Sequence, residues 1–362
     1  MASVLATKSY ASVDLTFPMP DLIEVQFQSF KRLKQEGLRD LFDEISPIES
    51  YNKGMKLYFP GSSTEAQEWE LTYRFAEPKY TIEECLERDL TYSAPLYVSV
   101  LLAGSEIPEP NRMEIFLGDF PEMTPQGTFI INGTERVVVS QLIRSPGVYF
   151  ESEVDRKSGH RLTTAKLIPD RGAWMEFETR KKDYLVLKYN RRRTIPVTIF
   201  LRAFAVIEAD KPNAAIKEGT DEELLKLFED VDTDEERQFI QCTIDEEPEW
   251  DLEKGSIAEM ALLEFFRRMR PGDPVTHENA MEYVTEQLYD HRHYDLELVG
   301  RYKLNQKLDL EDIVPMNERM LTGHDIVALV RRMIEINNDM ARPGDIDHLG
   351  NRRVKTVGEL IQ

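Results

Sequence analysis

Apolar residues recur at helical spacing through residues 21–45, where Phe27, Phe30, Leu33, Leu38, Leu41 and Phe42 form one stripe with a break near Gly37. Residues 46–63 are polar and carry Pro60-Gly61, which predicts a connection. Alternating patterns predict strands over 70–75 and 96–102, with a short helix at 82–88 between them. A turn at 107–110 leads into another strand at 112–117 and then a Pro-rich loop. Residues 127–150, GTFIINGTERVVVSQLIRSPGVYF, hold two apolar strands, a glycine turn and a Pro-Gly corner. Strands are predicted at 161–168, 174–179, 184–189 and 197–204, and the short turns at 169–172 and 181–183 let neighbours pair antiparallel.

Helical patterns follow. A short helix covers 221–228, and a stronger one covers 256–269, with Ser256 as cap and Glu259 three residues on. It stops at Arg270-Pro271-Gly272. Thr276 opens a helix to 288, and Thr322-Gly323-His324-Asp325 opens one to about 337. The fold class is therefore α+β, with mixed antiparallel sheets early and in the middle and helices later. At 362 residues the chain suits two or three domains, and changes of texture at 145–155 and 308–321 suggest the boundaries. Residues 356–362, TVGELIQ, keep helical spacing with no Gly or Pro stop and no polar tail, as expected of a piece of a longer polypeptide.

Hydrophobic content is 41%, and no apolar run approaches the length of a membrane span. Two cysteines, Cys85 and Cys242, make neither a disulfide framework nor a four-cysteine metal site, which suits a reducing, cytoplasmic setting. The net charge of -21 argues against a uniformly basic coat for nucleic acid. Charge is unevenly spread, however. Residues 207–255 hold 18 acidic and 5 basic side chains, a balance of -13, while basic clusters stand at 180–182, 191–193, 267–270 and 352–353. The acidic run reads as a solvated surface, a polyanion that keeps DNA off one face, or a dock for a basic factor.

No phosphate loop, zinc helix, nucleophile elbow or EF-hand is present. His291 and His293 lack a third ligand at a familiar spacing. Asp345 and Asp347 stand two apart. On a strand they would share a face and could bind a divalent ion or accept base amino protons; in a loop they would cap a turn. Arg144 precedes the rigid Ser145-Pro146-Gly147 corner, either bonding loop carbonyls or offering a fork to phosphate or base edges. Trp174 follows Arg171-Gly172-Ala173, as a core residue or as a stacking platform.

Six stretches, in order, resemble the beta subunit of bacterial multisubunit RNA polymerase. They are 127–150 quoted above, LIPDRGAWMEFE at 167–178, RRRTIPVTIFLRA at 191–203, RRMRPGDPVT at 267–276, YDLELVGRYKLNQKL at 294–308 and DIDHLGNRRVKTVGEL at 345–360. They run in the family's order from residue 127 to residue 360. The resemblance implies the N-terminal third of that subunit, with a lobe inserted into a discontinuous protrusion: 1–142 as the first part of the protrusion, 143–320 as the lobe and 321–362 as a truncated return segment.

The resemblance also implies one wall of a DNA cleft, facing promoter and downstream DNA and the non-template single strand. Its partners would be beta-prime, alpha, the remainder of beta, sigma and transcription factors, with no membrane. It implies no cofactor in this part of the subunit, magnesium being held by beta-prime in the parent nucleotidyltransferase, and no catalysis by this part alone. A guanine-reading pocket carries over to Arg144, Trp174, Arg270, Asp345 and Asp347, with Asp347 facing the guanine edge. One departure stands out. Many relatives carry aspartate before the triple arginine, where this chain has Asn190; Arg191, Arg192 and Arg193 beside it are expected as phosphate contacts or as partners for the acidic run. The alternative is a surface used chiefly to dock sigma and elongation factors.

Overall fold

The structure, a computed structural model, describes residues 21–52, 54–105, 107, 109–190, 194–234, 236–250 and 255–362. It divides into two compact units. One runs to Leu142 and resumes at Val354–Gln362; the other is Ile143–Arg353.

In the first unit, helix Glu24–Arg32 passes through a π-helical stretch, Leu33–Gly37, into helix Leu38–Ile45. The break expected near Gly37 is thus a change of helical register, not a chain end. Leu38 and Phe42 pack on Phe59 and on Leu96, Val98 and Val100 of an antiparallel sheet. Its centre is the long pair Ser93–Ala103 and Asn111–Pro121, with Tyr73–Phe75 and Lys56–Tyr58 flanking Ser93–Ala103. Thr81 and Glu84 form a reciprocal capping box on helix Ile82–Glu87. The returning helix Val357–Ile361 buries Val357 against Phe30, Leu33 and Phe129. The Ser29 hydroxyl donates to Thr356 Oγ1 at 2.7 Å and accepts the Gly358 N–H at 2.8 Å.

The second unit is built on an antiparallel meander: Gly147–Val154, Arg161–Ile168, Met175–Thr179, Leu185–Tyr189 and Thr194–Pro196, each paired with the next. Alternation gives the sheet two faces. Val148, Phe150, Ala165, Leu167, Phe177, Leu185 and Leu187 join the main core beneath the helices. Tyr149 and Ile168 belong to a smaller cluster with Trp174 and Ile346.

Three expectations about elements change. Residues 197–204, expected as a strand, lie in helix Val197–Ile207, of whose eleven residues nine are buried. A mostly apolar segment buried on nearly every side carries no period that separates strand from buried helix. Helices Phe239–Asp245 and Glu297–Leu308 were not expected. The latter buries Arg301 and Asn305 beside Leu304 and Leu308, so its inward face is not an apolar stripe.

The boundary expected at 320/321 also differs from the division into units. Helix Gly323–Asn337 supplies Ile326, Leu329, Val330, Met333 and Ile334 to the main core, so the chain leaves this unit only after Arg353. No helix among the described residues is long and apolar enough to cross a membrane.

Candidate nucleic-acid interface

Several of the quoted motifs meet within the second unit, around the Ser145-Pro146-Gly147 corner. The Ser145 N–H donates to Asn351 O at 3.0 Å. The Tyr149 hydroxyl bonds the Ser145 carbonyl and lies 3.3 Å from Asn351 O. Gly147 adopts φ +140, and a Cβ there would stand 3.3 Å from Lys303 Cβ, so helix Glu297–Leu308 runs directly against the corner. Arg144, just before it, is exposed and forms no ion pair among the described residues. Its guanidinium is therefore available to an outside acceptor.

The turn before Trp174 is held from the same side. Asp170 and Arg171 N–H groups donate to Asp295 O at 3.0 and 3.1 Å, and Asp295 N–H returns a bond to Arg171 O at 2.8 Å. Gly172 sits at φ +126, where an added Cβ would lie 2.7 Å from His293 O; no larger residue fits without displacing that strand-like contact. Arg353 pairs with Asp170 at 2.8 Å. Trp174 emerges from this turn half-buried, packed with Tyr149, Ile168 and Ile346.

Ile346 is the anchor of the aspartate segment. Residues 345–348 form a turn, not a strand, so the two carboxylates do not act as a shared face. Asp345 Oδ1 accepts the Asp347 N–H at 2.9 Å, and Asp345 O accepts from Asn351 Nδ2 at 2.5 Å. Asp345 thus shapes the loop. Asp347 points outward, its side chain 66% exposed, with one oxygen on Arg352 at 2.8 Å. Its second oxygen remains open to a donor. Among the described residues no group of three or more His, Cys, Asp or Glu is placed to hold a metal ion.

Asn190 and Arg270 meet in a neighbouring pocket of about 170 Å³, lined also by Tyr189, Met269, Tyr283 and Gln287. Arg270 lies 5.2 Å from the Tyr283 ring centroid and 3.7 Å from Asp273. Asn190 is exposed at φ +51, and its N–H donates to Trp174 O at 3.0 Å. The carried-over residues therefore form two adjoining patches: Arg144, Trp174 and Asp347 in one, Asn190 and Arg270 in the other. Arg191, Arg192 and Arg193 lie outside the described residues.

Tyr149 and Asn351, which tie the first patch together, were not singled out from sequence, nor were Lys303 and Lys307 on the helix beside the corner. Arg352 carried a signal, since it lies in a basic pair five residues beyond Asp347. The lysines carried none. Lys303 Nζ donates to Gly350 O and Lys307 Nζ to Val148 O, each at 2.8 Å. Lys307 also lies 4.3 Å from the Tyr149 ring centroid. Burial, reinforced by Lys303, lowers the Lys307 ammonium to about 8, and burial lowers Lys303 as well. Burial pushes the Tyr149 hydroxyl up to about 12, against the opposing pull of Arg144.

Comparison with known proteins agrees with the motif resemblance. The family model described as RNA polymerase Rpb2, domain 2, matches residues 144–355, over half the chain. The DNA-directed RNA polymerase subunit beta of Chloroflexus aggregans is 49% identical over 371 residues, covering 98% of this chain and 29% of that protein. The subunits of two Dehalococcoides mccartyi strains are 45% identical over 365 residues, covering 100% of this chain and 26% of theirs. The chain thus spans between a quarter and a third of the length of these curated relatives. It belongs to the family of bacterial DNA-directed RNA polymerase beta subunits and corresponds to their N-terminal region.

Proposed function

We propose that this region forms one wall of the polymerase DNA cleft and reads a guanine in the non-template strand, without bond chemistry of its own. Magnesium and the catalytic step would belong to beta-prime; alpha, sigma and the rest of beta would complete the assembly. The observation that carries this reading is the packing of Trp174 on the cluster that buries Ile346, the residue between Asp345 and Asp347. A stacking ring and an outward carboxylate share one support, and Arg144 is bonded into it through Ser145.

The chemistry follows from the donors and acceptors. Guanine N1 and N2 donate to the open oxygen of Asp347, while an arginine donates to O6 and N7. Such a pairing discriminates by about 1–3 kcal/mol, and stacking on the tryptophan adds about 1–3 kcal/mol without base preference. Asn190 supplies hydrogen bonds but no negative charge, so discrimination falls mainly to Asp347. The test is open-complex lifetime with full-length beta reassembled into polymerase, on promoters bearing guanine or thymine at the pocket position. A guanine advantage of about tenfold is expected, and Asp347→Ala should abolish it. Equal wild-type lifetimes on the two promoters would refute base reading.

A second reading, docking of sigma or elongation factors, is favoured by the exposed apolar side chains Met113, Phe116 and Leu117 on strand Asn111–Pro121. Factor affinity unchanged by Arg144→Ala and Trp174→Ala, together with DNA affinity also unchanged, would support it over the first.

A further inference from the structure

Helix Glu297–Leu308 presents two lysines one turn apart, Lys303 and Lys307. Neither forms an ion pair among the described residues, and both side chains are only half-buried. Lys303 bonds Gly350 O instead. Its stem is pinned by the backbone at Gly147, where even one added carbon would crowd it. Lys303 is therefore wedged between the Ser145-Pro146-Gly147 corner and the loop that carries Asp347.

The loop is also tied at its ends, and Arg352 pairs with Asp347 at 2.8 Å. Gly344 N–H donates to Phe150 O at 3.2 Å where it begins, and Asn351 O is held by Ser145 N–H where it ends. Between them Ile346 is buried, whereas Asp345, Asp347, His348, Leu349 and Gly350 are exposed. The bond from Lys303 brings a charged donor to a carbonyl in the exposed part of the loop, and charge-assisted bonds are roughly twice as strong as neutral ones.

We propose that Lys303 is a positioning residue for base reading: it holds the 345–351 loop so that Asp347 stands at a fixed offset from Trp174 and Arg144. This rests on the base-reading proposal above. Lys303 itself touches no base. Lys307, which bonds Val148 O instead of the loop, is the internal control.

The experiment uses polymerase reassembled with full-length beta carrying Lys303→Met, Lys303→Arg or Lys307→Met. Open-complex lifetimes are compared on the guanine and thymine promoters, and amide hydrogen exchange is followed in residues 345–351 of the same enzymes. Lys303→Met should collapse the guanine-to-thymine lifetime ratio toward one, leave the thymine lifetime within twofold, and speed exchange in the loop but not in helix Gly323–Asn337. Lys303→Arg should restore most of the ratio, and Lys307→Met should keep it. A wild-type ratio retained in Lys303→Met overturns the positioning role while base reading stands. Lifetimes on both promoters falling equally in Lys303→Met also overturn it, leaving Lys303 a general support. A ratio of one in wild type overturns base reading, and the positioning role with it.

Discussion

Asn190 donates its backbone N–H to the carbonyl of Trp174 at 3.0 Å from a left-handed conformation, φ +51. Asparagine and aspartate tolerate that conformation; β-branched residues do not. Asn190→Asp should therefore leave the urea midpoint nearly unchanged, whereas Asn190→Val should cost about 1–2 kcal/mol. If Asn190→Val unfolds at the wild-type midpoint, the turn is not constrained as argued. The departure to asparagine is thus compatible with the backbone that supports Trp174.

Gly172 offers a sharper steric test. At φ +126, with His293 O in the way, an alanine must move either the turn or the chain at 293–295. Gly172→Ala should destabilise by about 1–3 kcal/mol and change the fluorescence of Trp174 two residues on. A variant with native stability and unchanged emission would show that the turn yields freely.

Arg301 and Asp325 form a fully buried pair at 2.6 Å. Arg301 also donates to Glu318 O at 2.6 Å, to Met320 O and to Asn305 Oδ1. Asp325 doubles as the reciprocal cap of helix Gly323–Asn337 through Thr322. Removing one partner strands the other charge, so Arg301→Ala and Asp325→Ala should each cost about 3–5 kcal/mol. The double variant should cost clearly less than the sum of the two. Strict additivity in urea unfolding would contradict the pairing.

Two groups beside the corner predict opposite pH trends. Lys307 holds its proton to about 8 in the folded chain, against an ordinary 10.5. Between those values the unfolded chain binds the extra proton, so stability rises with pH, by at most about 1.4 kcal/mol per unit and by less for a partly solvated amine. Tyr149 keeps its proton to about 12, against an ordinary 10. Its stabilising contribution is complete below 10 and is lost from 10 to 12, where burial of Tyr289 and Tyr294 acts in the same direction. Urea midpoints measured across this range should show Lys307→Met flattening the rise from 8 to 10. Tyr149→Phe should soften the fall above 10. Identical pH profiles for wild type and Lys307→Met would remove the lysine from the account.

Local signals were legible where their physics is local. Ser256, Thr276 and Thr322 accept N–H groups three residues ahead, so the helix starts could be read from neighbouring letters. The meander from Gly147 to Tyr189 was readable because short turns join strands that alternate. Helices Val197–Ile207 and Glu297–Leu308 were not readable: one is buried on nearly every side, so its apolar residues show no period, and the other buries an arginine whose partners lie as far along the chain as Asp325.

The candidate interface divides in the same way. Sequence alone supplied the chemistry of Arg144, Trp174, Asn190, Arg270, Asp345 and Asp347, because functional groups and motif order are properties of the letters. It left open whether the aspartates cap a turn or act together, and whether the six side chains form one site. Folding answers the first question: Asp345 is spent on the loop and Asp347 faces out, while Arg270 joins Asn190 in a neighbouring pocket. The reason is distance along the chain. Tyr149 and Asn351 are 202 residues apart in sequence and in contact through one hydroxyl, and no local pattern encodes a bond between groups that only a completed core brings together.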